Sequence, residues 1–385
     1  MNLLSYYRDV RARSLMICSP LAIEDYIPQP SVDVSPPKWH LGHTTWFFEE
    51  MVLAVHSKEF SRYNPKYAYV FNSYYETIGD RVERPQRGWM SRPTVSDVLA
   101  YRRYVDERME WLIEGISFFP KEVKDLVILG LQHEQQHQEL LYTDIKYTLN
   151  LNPMVPVYEE DAELVNDYNS DQGFLEIREG LYDIGFEGEG FCFDNEKGRH
   201  KVFLPAFSIA KGLVTNQEYL EFIEDGGYEK HDLWHAQGWD WLKSNQLEHP
   251  MYWRKEEGHW KQFTLGGLMD LDPHAQLAHI NYYEAYAFAQ WKGMRLPTEF
   301  EWEVASGQLS WGSRWEWTQS AYLPYPKYQK AEGAVGEYNG KFMVSQMVLR
   351  GASVATSPDH SRPTYRNFFH PELSWQFTGI RLVQN

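Results

Sequence analysis

The stretch LGLQHEQQHQEL (Leu129–Leu140) places His133, Glu134 and His137 in the H-E-x-x-H order of zinc metalloproteases. It lies within KEVKDLVILGLQHEQQHQELLYTDIKYTL, a long segment with helical patterning. On a helix, residues four apart share a face, so His133 and His137 can bind one metal ion. A peptidase would use Glu134 as general base and would need a third ligand downstream, usually an acidic residue or a histidine on a following helix. Downstream lie LLYTDIKYTLNLNP and then an acidic stretch, with no second signature. Upstream, WHLGHTTWF offers His40 and His43 one turn apart. Three histidines from two helices form a facial set with open positions on the other side. That suits iron(II) or another first-row metal better than a closed structural zinc.

The surrounding patterns supply the helices. LLSYYRDVRARSLMI, WHLGHTTWFFEEMVLAV after Ser-Pro-Pro, and TVSDVLAYRRYVDERMEWLI precede the histidine segment. Proline suits a helix start, and Thr94 with Asp97 reads as an N-cap with an acidic first turn. Four such helices predict a bundle, whose core can host a metal between facing helices. A long aromatic loop, YNPKYAYVFNSYYETIGDRVERPQRGWMSRP, joins the second and third. A loop of that length in a compact domain is functional or disordered, and its ring content favours order.

After Pro153 the chain is acidic and weakly periodic to about Gln172, which reads as a linker. The expected domains are 1–152, a bundle with the metal site, 153–172, a linker, and 173–385, an irregular α+β domain. In the last of these, short β-like runs broken by glycine precede two helical segments, NQEYLEFIEDG and NYYEAYAFAQWKG. The final third reads as loop-rich.

Bulk properties narrow the partners. Of 385 residues, 16% are aromatic, which suits a pocket for a flat or cationic ligand, although much of that content must be core. A net charge of −17 argues against nucleic acid. Two distant cysteines, Cys18 and Cys192, exclude a disulfide framework and fit a reducing compartment. The N-terminus lacks the apolar core of a signal peptide and no apolar run approaches a membrane span, so a cytoplasmic protein without membrane contact is expected. A homo-oligomer stays open.

Beyond the single motif, the chain carries a family resemblance. SPPKWHLGHTTWFFE, LGLQHEQQHQELLYTDIKY, RLPTEFEWEVA, WEWTQSAYLPYP and LRGASVAT…RNFFHPELSWQFTGIRLV resemble, in order and over nearly the whole chain, the ergothioneine-biosynthesis sulfoxide synthases. The resemblance implies a multidomain α and α+β protein. An N-terminal DinB-like four-helix bundle would precede a C-terminal domain similar to formylglycine-generating enzyme, with a C-type-lectin-like fold. It also implies a non-heme Fe(II) enzyme that takes O2 as co-substrate. Its reaction joins a thiol sulfur to the imidazole C2 of hercynine (N-α-trimethylhistidine) and gives a sulfoxide.

By position, the resemblance makes His43, His133 and His137 the iron ligands and His40 a neighbour. Gln136 resembles the glutamine that hydrogen-bonds the substrate imidazole, and Glu134 then points elsewhere. Tyr74 and Tyr75 resemble a tyrosine pair of one branch of the family, one of which donates a hydrogen bond or proton to the reacting oxygen; Tyr75 is preferred. Arg84 and Arg87 resemble a guanidinium pair that holds the donor's carboxylate, a task that suits a planar fork. Asn367, Phe368 and Phe369 match the hercynine-binding segment, where ring faces suit a trimethylammonium group. Trp315 and Trp317 read as core rather than contacts.

The Tyr-Tyr loop favours the branch that takes cysteine directly. The same chemistry with γ-glutamylcysteine or a selenosugar is the first alternative. A zinc peptidase and a non-catalytic lectin-like binding protein are the others. Cys192 stands alone in its domain, so formylglycine generation, which needs a cysteine pair, is not expected.

Overall fold

The computed structural model describes residues 2–160, 167–330, 336 and 339–384. Of the expected linker, residues 161–166 lie outside the described residues. The chain divides into two compact units, Met1–Tyr158 and Glu159–Asn385. No helix among the described residues is long and apolar enough to cross a membrane.

The first unit is built on four helices. They are α1 (Leu3–Cys18), α2 (Pro37–Phe47), α3 (Val95–Glu114) and α4 (Lys121–Asn150). Proline at the first position starts α2, where its missing N–H costs nothing. Thr94 and Asp97 close a reciprocal capping box at the start of α3. The buried residues of α3, Val98, Tyr101, Val105, Met109 and Leu112, recur at three- and four-residue intervals and form one stripe. Each fully buried valine or leucine there contributes about 1.5–3 kcal/mol relative to exposure. α2 runs directly into a π-helical stretch (Phe48–Leu53) and a last turn (Ala54–His56), a departure that the apolar pattern did not signal. Gly130 on α4 lets α2 come close: a Cβ there would lie 2.6 Å from Phe48 and 2.8 Å from Phe47.

The loop between α2 and α3 is ordered and contains a helical turn (Tyr67–Val70) and a 3-10 helix (Arg84–Trp89). The end of the first unit is tied down by Tyr158, whose hydroxyl donates to the Ile17 carbonyl at 2.6 Å.

Among the described residues, the second unit holds four small sheets. Strands β1 (Phe174–Ile177) and β4 (Phe207–Ala210) pair antiparallel, and β12 (Val383–Gln384) joins β4 on its other edge. β2 (Gly180–Ile184) and β3 (His200–Leu204) form a hairpin. β5 (Trp253–Glu256), β6 (His259–Thr264) and β7 (Gly267–Asp270) form a meander. β8 (Trp315–Ala321) is central in the fourth sheet, antiparallel to β9 (Met347–Gly351) and parallel to β11 (Thr378–Gly379), with β10 (Asn367–Phe369) beyond β9.

Helices α5 (Asn216–Glu224) and α7 (Tyr282–Trp291) match the two helical patterns, and α6 (Ala236–Asn245) lies between them. The final third is more regular than expected. RLPTEFEWEVA holds helix α8 (Glu299–Ala305), capped by Thr298 and Glu301, and the Trp-rich run after it is a buried strand. Trp315 and Trp317 are core, and the Trp317 indole donates to the Ile280 carbonyl at 2.8 Å.

Candidate metal centre

Helices α2 and α4 bring together the three histidines. His43, His133 and His137 each offer a ring nitrogen, and these atoms all lie within 4.8 Å of one another. Ring centroids are 5.0 Å apart for His43 and His133, 4.9 Å for His43 and His137, and 4.6 Å for His133 and His137. The four-residue step on α4 sets the last of these; the α2 histidine comes from the facing helix.

The imidazoles are held neutral, the form that ligates. Burial pushes His133 down to about 4. Burial and the neighbouring His133 push His43 well below the usual histidine range. His137 keeps an accessible edge, yet enough protein surrounds it that burial, with His133, His43 and His40, pushes it well down too. The His43 Nδ1–H donates to the Phe71 carbonyl at 2.7 Å. Its Nε2 is therefore the bare nitrogen, buried and without a hydrogen-bond donor among the described residues. A buried lone pair aimed into a cluster of neutral imidazoles fits a first-row metal ion.

Glu134 is turned away from the cluster. Adjacent residues on a helix are about 100° apart, and that rotation carries the carboxylate to the α1 side. There it meets Arg11 at 2.8 Å and the Ser14 hydroxyl at 2.6 Å, and also pairs with Arg102. Burial alone would raise its pKa, but the guanidinium groups of Arg102 and Arg11 with the Ser14 hydroxyl more than offset it and hold Glu134 at about 2. The residue that would be the base of a peptidase is a fixed counter-ion in the bundle core.

The Tyr-Tyr loop meets this centre at Phe71 and Tyr75 and is braced internally between them. The Phe71 carbonyl holds His43, and the Asn72 amide donates to the carbonyls of Tyr75 at 3.1 Å and Gly79 at 2.9 Å. Ser73 accepts from Arg87 at 2.8 Å, and the Tyr75 ring lies 5.4 Å from that of Trp46. Trp46 and Trp39 both stack on His43, with centroids at 5.6 and 4.5 Å. Tyr75 is buried; Tyr74 is half-buried and stacked on it at 4.7 Å. Asn72, fully buried, was not singled out from the sequence. The signal for it was its place before the Tyr-Tyr pair, since asparagine favours such turns.

The two arginines occupy different settings. Arg87 is buried, donates to the hydroxyls of Ser35 at 3.0 Å and Ser73 at 2.8 Å, and stacks over Trp39. Arg84 is exposed and donates to the Asp33 carbonyl at 2.8 Å. Gln136 is half-buried beside His137 on α4.

In the second unit, Asn367, Phe368 and Phe369 form β10, each half-buried. Phe368 stacks on Tyr322 at 4.0 Å, and the Asn367 side chain accepts from the Phe368 N–H.

Two family models match the chain. The DinB superfamily model covers residues 6–141, and the sulfatase-modifying factor enzyme 1-like domain covers 161–314 and 310–385. A hercynine oxygenase from Mycolicibacterium thermoresistibile is 27% identical over 80% of this chain and 79% of its own. One from Mycobacterium tuberculosis is 27% identical over 80% of this chain and 83% of its own. The chain belongs to the ergothioneine-biosynthesis sulfoxide synthase family. As a member of that family it is an oxygenase, with the helical half carrying the three histidines and the β-rich half the matched enzyme-1-like domain. A more distant relative, ergothioneine biosynthesis protein 1 of Schizosaccharomyces pombe, is 25% identical over 51% of this chain and 28% of its own.

Proposed function

We propose that this oxygenase binds Fe(II) through His43, His133 and His137 and joins the sulfur of cysteine to the imidazole C2 of hercynine. The balance is a thiol R–SH, a ring C2–H and O2 giving the sulfoxide R–S(O)–C2 and one water. The observation that carries the reading is the set of three neutral imidazoles with nitrogens within 4.8 Å of one another, on a chain whose relatives are hercynine oxygenases. Fe(II), when bound, would supply O2 activation and a shared anchor for the two organic substrates.

The chain's own residues do the rest. Gln136, one residue before His137, orients the substrate imidazole through its amide. Buried Arg87 takes the carboxylate of the donor on its planar fork, with Arg84 at the outer end of the same 3-10 helix. Tyr75, or its stacked neighbour Tyr74, holds a phenolic proton for the reacting oxygen. Asn367, Phe368 and Phe369 resemble the family's hercynine-binding segment, and aromatic faces suit a quaternary ammonium.

The test is product analysis by mass spectrometry. Hercynine is supplied to the Fe(II)-loaded chain with cysteine, with γ-glutamylcysteine or with a selenosugar. Cysteine and hercynine joined with loss of two hydrogens and gain of one oxygen is the expected product. A joined product only with γ-glutamylcysteine or the selenosugar would reassign the donor, and no joined product with any of them would overturn the reading.

A further inference from the structure

His40 stands outside the ligand set, but it is not an idle neighbour. Its Nδ1 lies 2.8 Å from the Nδ1 of His137, and its Nε2 lies 3.0 Å from Asp144 Oδ2. The same Asp144 oxygen accepts the Ser35 N–H at 2.9 Å. His40 and Asp144 are both buried. The three side chains come from α2 and from two points seven residues apart on α4, so the line exists only once these helices pack.

The chemistry of the line has one consistent arrangement of hydrogens for neutral rings. Asp144 Oδ2 accepts, so His40 Nε2 must carry a hydrogen and donate. His40 Nδ1 is then bare and can only accept, so His137 Nδ1 must carry the hydrogen between the two rings. That leaves His137 Nε2 as the bare nitrogen. The Phe71 carbonyl imposes the same result on His43. Partners of this kind fix the tautomer and orientation of ligating histidines, although here an imidazole is interposed between carboxylate and ligand.

We propose that His40 and Asp144 are positioning residues that fix His137 as the Nδ1–H tautomer and so present its Nε2 to the metal. The proposal rests on the three-histidine centre described above. It predicts that the relay exists before metal arrives, and that its loss weakens metal binding ahead of any effect on chemistry.

Nitrogen NMR of the metal-free full chain, with histidine ring nitrogens labelled, reads the tautomers directly and needs no variant beyond those used for assignment. The expected result is a hydrogen on Nδ1 of His137 and on Nε2 of His40; a hydrogen on Nε2 of His137 would overturn the relay. Co(II) titration, followed by its visible absorption, supplies the second readout. His40→Phe, which cannot accept a hydrogen bond, should weaken Co(II) binding about 10- to 100-fold. His40→Gln, whose carbonyl can accept from His137, should recover much of that loss. Equal affinity in His40→Phe and the parent would overturn the proposal. A parent chain that binds no Co(II) would overturn the metal centre itself, whereas the wrong tautomer in a chain that binds Co(II) would overturn the relay alone.

Discussion

The guanidinium carbon of Arg87 lies 3.4 Å from the centre of the Trp39 ring, and Trp39 is stacked on His43. Arg87 is buried and its hydrogen bonds run to two serine hydroxyls rather than to a carboxylate. Burial, with Arg84 nearby, pushes its pKa well below the usual arginine range, so the cation is held at a cost that an incoming anion would relieve. Arg87→Lys keeps the charge but loses the planar stack and the fork. The expected outcome is a KM for the thiol raised about 10- to 100-fold, with metal content unchanged. An unchanged thiol KM would remove Arg87 from donor binding.

Tyr75 is buried against Trp46, and Tyr74 is stacked on its outer side. Tyr75→Phe keeps the packing and removes only the phenolic proton. Sulfoxide formation should fall by at least about 100-fold, the usual contribution of a positioned proton donor, with oxidation diverted to the thiol alone. Tyr74→Phe should have the smaller effect; the reverse order, read from the product ratio, would exchange their roles.

Glu134 pairs with both Arg11 and Arg102 inside the bundle, and Arg11 also pairs with Asp106. Removing one member of a buried ionic network leaves charge uncompensated, so Glu134→Gln should destabilise the first unit by about 3–5 kcal/mol in denaturant unfolding. Its effect should be on stability. A variant as stable as the parent but without metal-dependent activity would restore the catalytic-base reading of the H-E-x-x-H pattern.

In the second unit, burial raises Glu284 to about 7, against the lowering influence of the Asn281 N–H and the Tyr228 hydroxyl. The folded state therefore keeps a proton that the unfolded chain releases near its ordinary value of 4.5. The contribution to stability is full below that value and declines as pH rises towards about 7. Glu284→Gln stays neutral throughout. Its stability relative to the parent should rise across this window by up to about 1.4 kcal/mol per pH unit and then level off. A flat difference between variant and parent would contradict the raised pKa.

Much of the first unit was legible because its determinants are local. The His133 and His137 spacing, the prolines before α2 and the Thr94–Asp97 box are each contained within one turn of helix. The Glu134 ion pairs were legible only in part: helix geometry says that Glu134 leaves the histidine face, but Arg11 and Arg102 lie on two other helices. The His40–Asp144 contact spans 104 residues and has no local signature at all. In the second unit, α8 was hidden although Thr298 and Glu301 carry a capping-box signal, because the helix is a short run crowded with tryptophan and glutamate. Arg84 and Arg87, three apart, share a face of the 3-10 helix. Yet Arg84 at its start is exposed against the Asp33 carbonyl, whereas Arg87 one turn on is buried against Ser35 and Ser73, partners that lie far from it in sequence.

Whether three neutral histidines make an oxygen-dependent coupling centre is decided by oxygen consumption. Uptake by the Fe(II)-loaded chain is followed with hercynine alone, cysteine alone and both together, beside His137→Ala under the same conditions. Sustained uptake only when both substrates are present, one O2 per sulfoxide formed, and none in His137→Ala is the predicted result. Uptake that ignores hercynine, or that survives the loss of His137, would contradict it.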